Sequence, residues 1–110
     1  MSTNAFTPQG LTISVTAAAT APTPTQCSGT VIGSIQYRIV NTGSVPAYLG
    51  IGANATTATA NAVKPTGTAT NAIPLLPSTA EVLTFNANAY FTAVTDSGTA
   101  VIFITPGDGM

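Results

Sequence analysis

Residues 34–52 read Ser-Ile-Gln-Tyr-Arg-Ile-Val-Asn-Thr-Gly-Ser-Val-Pro-Ala-Tyr-Leu-Gly-Ile-Gly. Ile35, Tyr37 and Ile39 alternate with Gln36, Arg38 and Val40, which is the two-residue period of a strand with one wet face. Asn41, Thr42, Gly43 and Ser44 follow; asparagine tolerates a left-handed backbone and glycine takes positive φ at little cost. A second run, residues 47–51, opens just after Pro46, where a missing N–H does least damage. The stretch predicts a β-hairpin whose bulk comes from Tyr37, Ile39 and Tyr48.

Toward the N-terminus, Leu11, Ile13, Val15 and Ala17 alternate with Thr12, Ser14 and Thr16. That pattern predicts a half-buried strand with a hydroxyl-lined outer face. Residues 18–28 carry Pro22 and Pro24, which cannot join a central ladder, so a long crossover is expected there. The next strand is expected to begin near Thr30 and run into the hairpin, broken or bulged at Gly33. Residues 1–10 form a polar arm ending in Pro8-Gln9-Gly10. Phe6, its one large apolar group, either tucks against its own core or anchors on a neighbouring subunit.

Toward the C-terminus, residues 54–71 are almost wholly Thr, Ala, Asn and Gly. Their weak alternation predicts one irregular edge strand and an exposed loop around Lys64 and Pro65. The Asn54-Ala55-Thr56 triplet matches a glycosylation acceptor, a match that chance supplies in so Asn- and Thr-rich a chain. Residues 72–77 are a short apolar strand fenced by Pro74 and Pro77, hence an edge. Strands are expected over 81–85 and 89–94, the latter with Tyr90, Thr92 and Val94 on one side and Phe91 and Ala93 on the other. Asp96-Ser97-Gly98 reads as a tight loop with glycine at the left-handed position. Residues 100–105, Ala-Val-Ile-Phe-Ile-Thr, are a near-continuous apolar run and predict a central strand buried on both faces.

Seven or eight short strands at fairly regular spacing, with no helical period, predict an all-β fold. The reading is a small antiparallel β-sandwich, jelly-roll-like, of about eight short strands. An immunoglobulin-like sandwich is the alternative, weakened by the lack of a Cys–Trp–Cys core. An N-terminal arm (1–10) and a single β-sandwich domain (11–110) account for the 110 residues.

Composition narrows the function. Two basic and three acidic residues make up 5% of the chain, against about 25% in ordinary domains. The polar surface must come from Thr, Ser and Asn, groups far cheaper to desolvate than charges. Large apolar groups are also few, with no Trp, four Phe and three Tyr. A thin core and a nearly uncharged surface predict a protein held by neighbours. Nucleic-acid binding needs a basic footprint that two cations cannot supply. No run reaches the 18 or so apolar residues of a membrane span. The N-terminus lacks the basic and apolar regions of a secretory signal, so synthesis in the cytoplasm is expected.

Chemistry is scarce. Glu81, Asp96 and Asp108 are the only acids and there is no His. Paired-carboxylate hydrolysis, zinc binding and base-assisted nucleophilic catalysis all lack their components. Asp96 reads as a turn former, and Glu81 and Arg38 as a modest cross-sheet pair. The single Cys27 reads as a structural thiol. No enzyme activity, cofactor or metal is expected.

Residues 100–109, Ala-Val-Ile-Phe-Ile-Thr-Pro-Gly-Asp-Gly, resemble the ending of small virion proteins of tailed phages. Residues 6–10 (Phe-Thr-Pro-Gln-Gly), 37–43 (Tyr-Arg-Ile-Val-Asn-Thr-Gly) and 96–100 (Asp-Ser-Gly-Thr-Ala) are similar to the same group. The chain thus resembles the capsid decoration (cement or staple) proteins of short-tailed bacteriophages. The resemblance implies a compact jelly roll on the outside of the capsid, bridging major capsid protein subunits against the pressure of packaged genome. A homodimer is favoured over a trimer. The N-terminal arm and the C-terminal turn are the natural reaching elements; with the exposed loop around Lys64 and Pro65 they give Phe6, Pro8, Lys64, Pro65, Asp108 and Met110 as candidate contacts with the capsid or a second copy. A head- or tail-associated adhesin recognising surface glycans is the alternative.

Overall fold

Two sheets interleave strands that lie far apart in the chain in the computed structural model, which describes residues 7–27, 36–64 and 71–108. The strands are β1 (Thr7–Pro8), β2 (Ile13–Ala17), β3 (Thr25–Gln26), β4 (Gln36–Asn41), β5 (Ala47–Gly52), β6 (Ile73–Leu75), β7 (Thr79–Thr84), β8 (Tyr90–Val94) and β9 (Ala100–Asp108). A helix, α1 (Ala55–Asn61), lies between β5 and β6. The larger sheet runs β1-β9-β4-β7, with β2 beside β1 along the same edge of β9; the smaller runs β3-β8-β5-β6.

Every pairing between these strands is antiparallel, and the partners nest: β2 with β9, β3 with β8, β4 with β7, β5 with β6. Pairings of β4 with β9 and β5 with β8 join the turns of this rolled ribbon. This is the jelly-roll order of two Greek keys. An immunoglobulin-like sandwich would instead pair its first two strands within one sheet. Here β2 and β3 part to opposite sheets.

The inner faces meet in a core of Tyr37, Ile39, Leu49, Leu75, Phe91, Ile102 and Ile104, all essentially without solvent contact. Tyr37 packs edge-on against Phe91 with ring centroids 4.9 Å apart, a geometry that adds to plain area burial. Its hydroxyl donates to the Asn86 carbonyl at 2.6 Å and accepts from the Ala89 amide at 3.2 Å. One buried side chain thereby ties β4 to the β7–β8 connection. Burial pushes the Tyr37 phenol above its ordinary pKa, and the Ala89 amide works against that.

Several expectations need correction. The predicted hairpin over 34–52 does not form: β4 belongs to the larger sheet and β5 to the smaller. Its turn is an arch between sheets, held by Asn41. The Asn41 amide nitrogen donates to the Val45 and Leu75 carbonyls at 3.2 and 3.1 Å, while its oxygen accepts from the Gly43 amide at 2.9 Å. Gln36, expected on the wet face, is buried, whereas Arg38 is exposed as read. Leu11 lies outside β2 and is 81% exposed. The crossover over 18–28 contains β3, and it is pinned to β8 by the Thr95 amide on the Ala18 carbonyl and by the Thr92 hydroxyl on Pro22. The strand start near Thr30 and the break at Gly33 fall outside the described residues.

The expected irregular strand after Asn54 is helix α1. Asn54 caps it by accepting from the Thr57 amide at 2.9 Å. The helix lies on β5, where glycines leave room: a Cβ on Gly50 would sit 2.5 Å from the Ala62 nitrogen, and one on Gly52 2.8 Å from Thr57 Cβ. Residues 100–105 are central, as read, but not buried on both faces. Ala100, Ile102 and Ile104 point inward while Val101 is half-exposed and Phe103 is 41% exposed. Among the described residues, no element covers the outer face of the larger sheet as α1 covers the smaller one. β8, by contrast, is buried along both faces. Gly98 does take the left-handed conformation, with φ 75°, although its turn links two sheets rather than one hairpin.

Candidate interaction surfaces

Of the candidate contacts, the fold brings two together. Thr7 pairs with Asp108 and Pro8 with Gly107, and the Gln9 amide donates to the Pro106 carbonyl at 2.8 Å. Residues 7–9 are therefore zipped onto the end of β9, with Pro8 exposed. Lys64 lies three residues past α1, which packs on the smaller sheet, so it is not part of this pair. Phe6, Pro65 and Met110 lie outside the described residues.

The acids do not converge. Ile39 faces Glu81 across the β4–β7 ladder and Arg38 faces Val82. Neighbouring residues on a strand point to opposite faces, so the expected Arg38–Glu81 pair does not form. Asp96 accepts a hydrogen bond from the Tyr48 hydroxyl at 3.2 Å. Partial burial first, and then the Asp96 carboxylate beside it, raise the Tyr48 phenol's pKa. Among the described residues no three His, Cys, Asp or Glu side chains gather as a metal site would require. No described helix is long and apolar enough to cross a membrane.

Cys27 is a core residue. It has no exposed surface, its amide donates to the Ala89 carbonyl at 2.9 Å, and its sulfur lies 3.8 Å from the Ile104 carbonyl. Burial pushes the thiol from 9.0 up to about 12. The folded protein thus holds this proton more tightly than the unfolded chain. Its contribution is intact below 9.0 and lost as the pH rises toward 12, at no more than about 1.4 kcal/mol per pH unit. Native protein at pH 8 is expected to leave Cys27 unmodified by a thiol reagent, with one equivalent reacting after unfolding. Rapid native modification would contradict the burial.

Three surfaces with at most one charge each remain among the described residues. The first is the outer face of the larger sheet. Phe103 lies opposite Ser14 on β2 and Val40 on β4; Val101 lies opposite Thr16, and Thr105 opposite Arg38. The second is the solvent side of α1, where Ala55, Thr56, Thr59 and Ala60 line a shallow depression without a charge. The third is the free edge formed by β6 and β7, where Pro74, Leu76, Thr79 and Glu81 line a groove of about 410 Å³. Leu76 is 62% exposed there.

Sequence reasoning passed over Phe103 and Leu76. Leu75 and Leu76 are consecutive in a strand-like run, so one of the two had to face outward. That signal was present. Phe103 stands in register with Val101 and out of register with the inward isoleucines, which an unbroken apolar run conceals. No protein-family model, curated protein or solved structure matches this chain.

Proposed function

We propose that this chain is a non-enzymatic bacteriophage virion protein that binds the outer surface of the capsid and bridges major capsid protein subunits. It is made in the host cytoplasm and works as a pair of copies. The observation that carries the reading is a surface of hydroxyls and half-buried apolar groups in which, among the described residues, Arg38 is the one charge on the outer face of the larger sheet. Contacts of this kind cost little to desolvate and are barely screened by salt. Jelly rolls recur in viral capsid proteins, and the resemblance to decoration proteins supports the same assignment.

The mechanics need only weak sites. A contact with a Kd of about 10 µM is worth about −6.8 kcal/mol. Holding a second contact at millimolar effective concentration raises the avidity by roughly 10² to 10⁴. A clamp repeated over a lattice therefore resists outward pressure without any strong individual contact. The test is co-sedimentation of purified chain with expanded shells that lack it. Saturable binding supports the proposal, and a chain that stays in the supernatant at every shell concentration overturns it.

A second reading, a head- or tail-associated glycan adhesin, is favoured by one feature. Tyr48 lies opposite Pro74 and Val94 with its hydroxyl on Asp96, an aromatic platform beside an acid. A glycan-array hit that is lost with Tyr48→Ala would favour it.

A further inference from the structure

The geometry points to β7 as a self-pairing edge: two copies join antiparallel about a two-fold axis centred on Val82, continuing the larger sheet across the pair. This deepens the clamp reading by naming how its two copies meet, and it rests on that reading only for its biological purpose. A strand at the end of a sheet presents an unpaired row of N–H and C=O groups, a template for another strand. Among the described residues the four sheet edges differ. β3 has two residues, and β6 has three including Pro74. The β1–β2 edge is interrupted between Pro8 and Ile13. β7 runs six residues without a proline, a glycine or a break.

The strand's own sequence selects the register. In a continuous sheet, opposed residues share a face, so a two-fold axis must pass through a residue. An axis at Glu81 would set two carboxylates directly opposite, which is destabilising. An axis at Val82 opposes Val82 to its copy, Ala80 to Thr84, Glu81 to Leu83 and Thr79 to Phe85. The two Glu81 carboxylates then sit on a diagonal of about 7–8 Å rather than face to face. Arg38 lies opposite Val82 within each sheet. The two guanidinium groups fall three strand spacings apart, about 14 Å, which exceeds the Debye length of about 8 Å. No like charges meet.

Self-complementarity identifies the occupant as a second copy. Leu83 and Phe85 are half-buried apolar groups at one end of the strand. Thr79 and Glu81, at the other end, line the groove with Pro74 and Leu76. The two-fold axis brings each copy's Leu83 and Phe85 over its partner's groove, covering the exposed Leu76. A partner strand of another protein would have to supply that apolar pair itself.

The test uses the purified full-length chain, with its mass measured by sedimentation from about 1 µM to about 1 mM. Wild type is expected to pass from monomer to dimer within that range. Val82→Glu places two carboxylates face to face in the dimer yet faces Arg38 in the monomer, so the fold is kept. It is expected to weaken dimerisation at least tenfold. Val82→Cys is expected to form a disulfide-linked dimer on mild oxidation, because directly opposed side chains lie about 4.5–5.5 Å apart. Glu81→Cys, on the diagonal, should not; Cys27 is buried and does not compete. A monomer throughout the range, a dimer indifferent to Val82→Glu, or equal crosslinking at 81 and 82 would each overturn the proposal. Should Val82→Glu fail to fold, the crosslinking pair decides alone. Dimers that ignore capsid shells would sink the proposed function and leave this interface standing.

Discussion

Asn41→Ala is expected to cost about 3 kcal/mol of stability, the largest effect of any single truncation outside the apolar core. Asn41 is 1% exposed and uses both ends of its amide. Two bonds reach the Val45 and Leu75 carbonyls and one comes from the Gly43 amide. Alanine removes all three bonds at once and leaves three backbone groups unpaired. Each buried group left unpaired costs about 1–3 kcal/mol, with the lower figure fitting the two partly buried bonds. Total stability of a domain this size is about 5–15 kcal/mol, so the loss is a large share. Denaturant unfolding should show a lower midpoint at unchanged slope, and thermal unfolding a drop of about 15 °C. Asn41→Asp separates hydrogen bonding from volume. The carboxylate can accept from Gly43 but meets two carbonyl oxygens, so it should be worse than alanine. An aspartate variant as stable as wild type would refute the assigned role of Asn41.

Gly50→Val is expected to dislodge α1. The first side-chain carbon would fall 2.5 Å from the Ala62 nitrogen and 2.7 Å from Ala62 Cβ. Helix backbone cannot give way as a flexible side chain can. Overpacking costs about 1–3 kcal/mol, and valine adds two further methyl groups to the clash. The helix has little stability of its own: seven residues are far below the roughly 12–15 at which isolated helices become marginal, and three of them are Ala and three Thr. Docking on β5 holds it, and loss of docking melts it. Amide exchange over residues 58–63 should accelerate at least a hundredfold while Ile102 and Ile104 in the core keep their protection. Asn54→Ala, which removes only the cap, should cost about 1 kcal/mol. Unchanged exchange in Gly50→Val would show that the helix is not held by the glycine surface.

These two sites also mark where sequence reading ended. Period-two alternation located β2 and β4 because their inward and outward residues differ sharply, as with Val15 against Ser14 and Tyr37 against Arg38. The count of short strands and proline-fenced segments was enough for a jelly-roll-like sandwich. Residues 41–46 were not decidable locally. Asn-Thr-Gly-Ser-Val-Pro suits a hairpin turn and an inter-sheet arch equally. The choice rests on the Asn41–Leu75 bond, which spans 34 positions in the chain.

Helix α1 escaped notice for a related reason. It buries Ala58 against glycines instead of large apolar groups, so no hydrophobic stripe marks its period. The readable signal lay in its partner, where Gly50 and Gly52 alternate along β5, together with the cap residue Asn54. Of the surface, the scarcity of charge was legible from composition. The positions of Phe103 and Leu76 depend on which sheet face is left uncovered, a property of the assembled fold.

The central claim is that a nearly charge-free jelly roll was shaped to be held on a larger assembly. Cryo-EM of expanded shells mixed with this chain and washed at about 1 M salt, where the Debye length is about 3 Å, tests it most directly. The account predicts ordered two-lobed density on the outer surface, bridging neighbouring subunits, undiminished by the wash. Bare shells after that wash, or density on the inner surface, would contradict it.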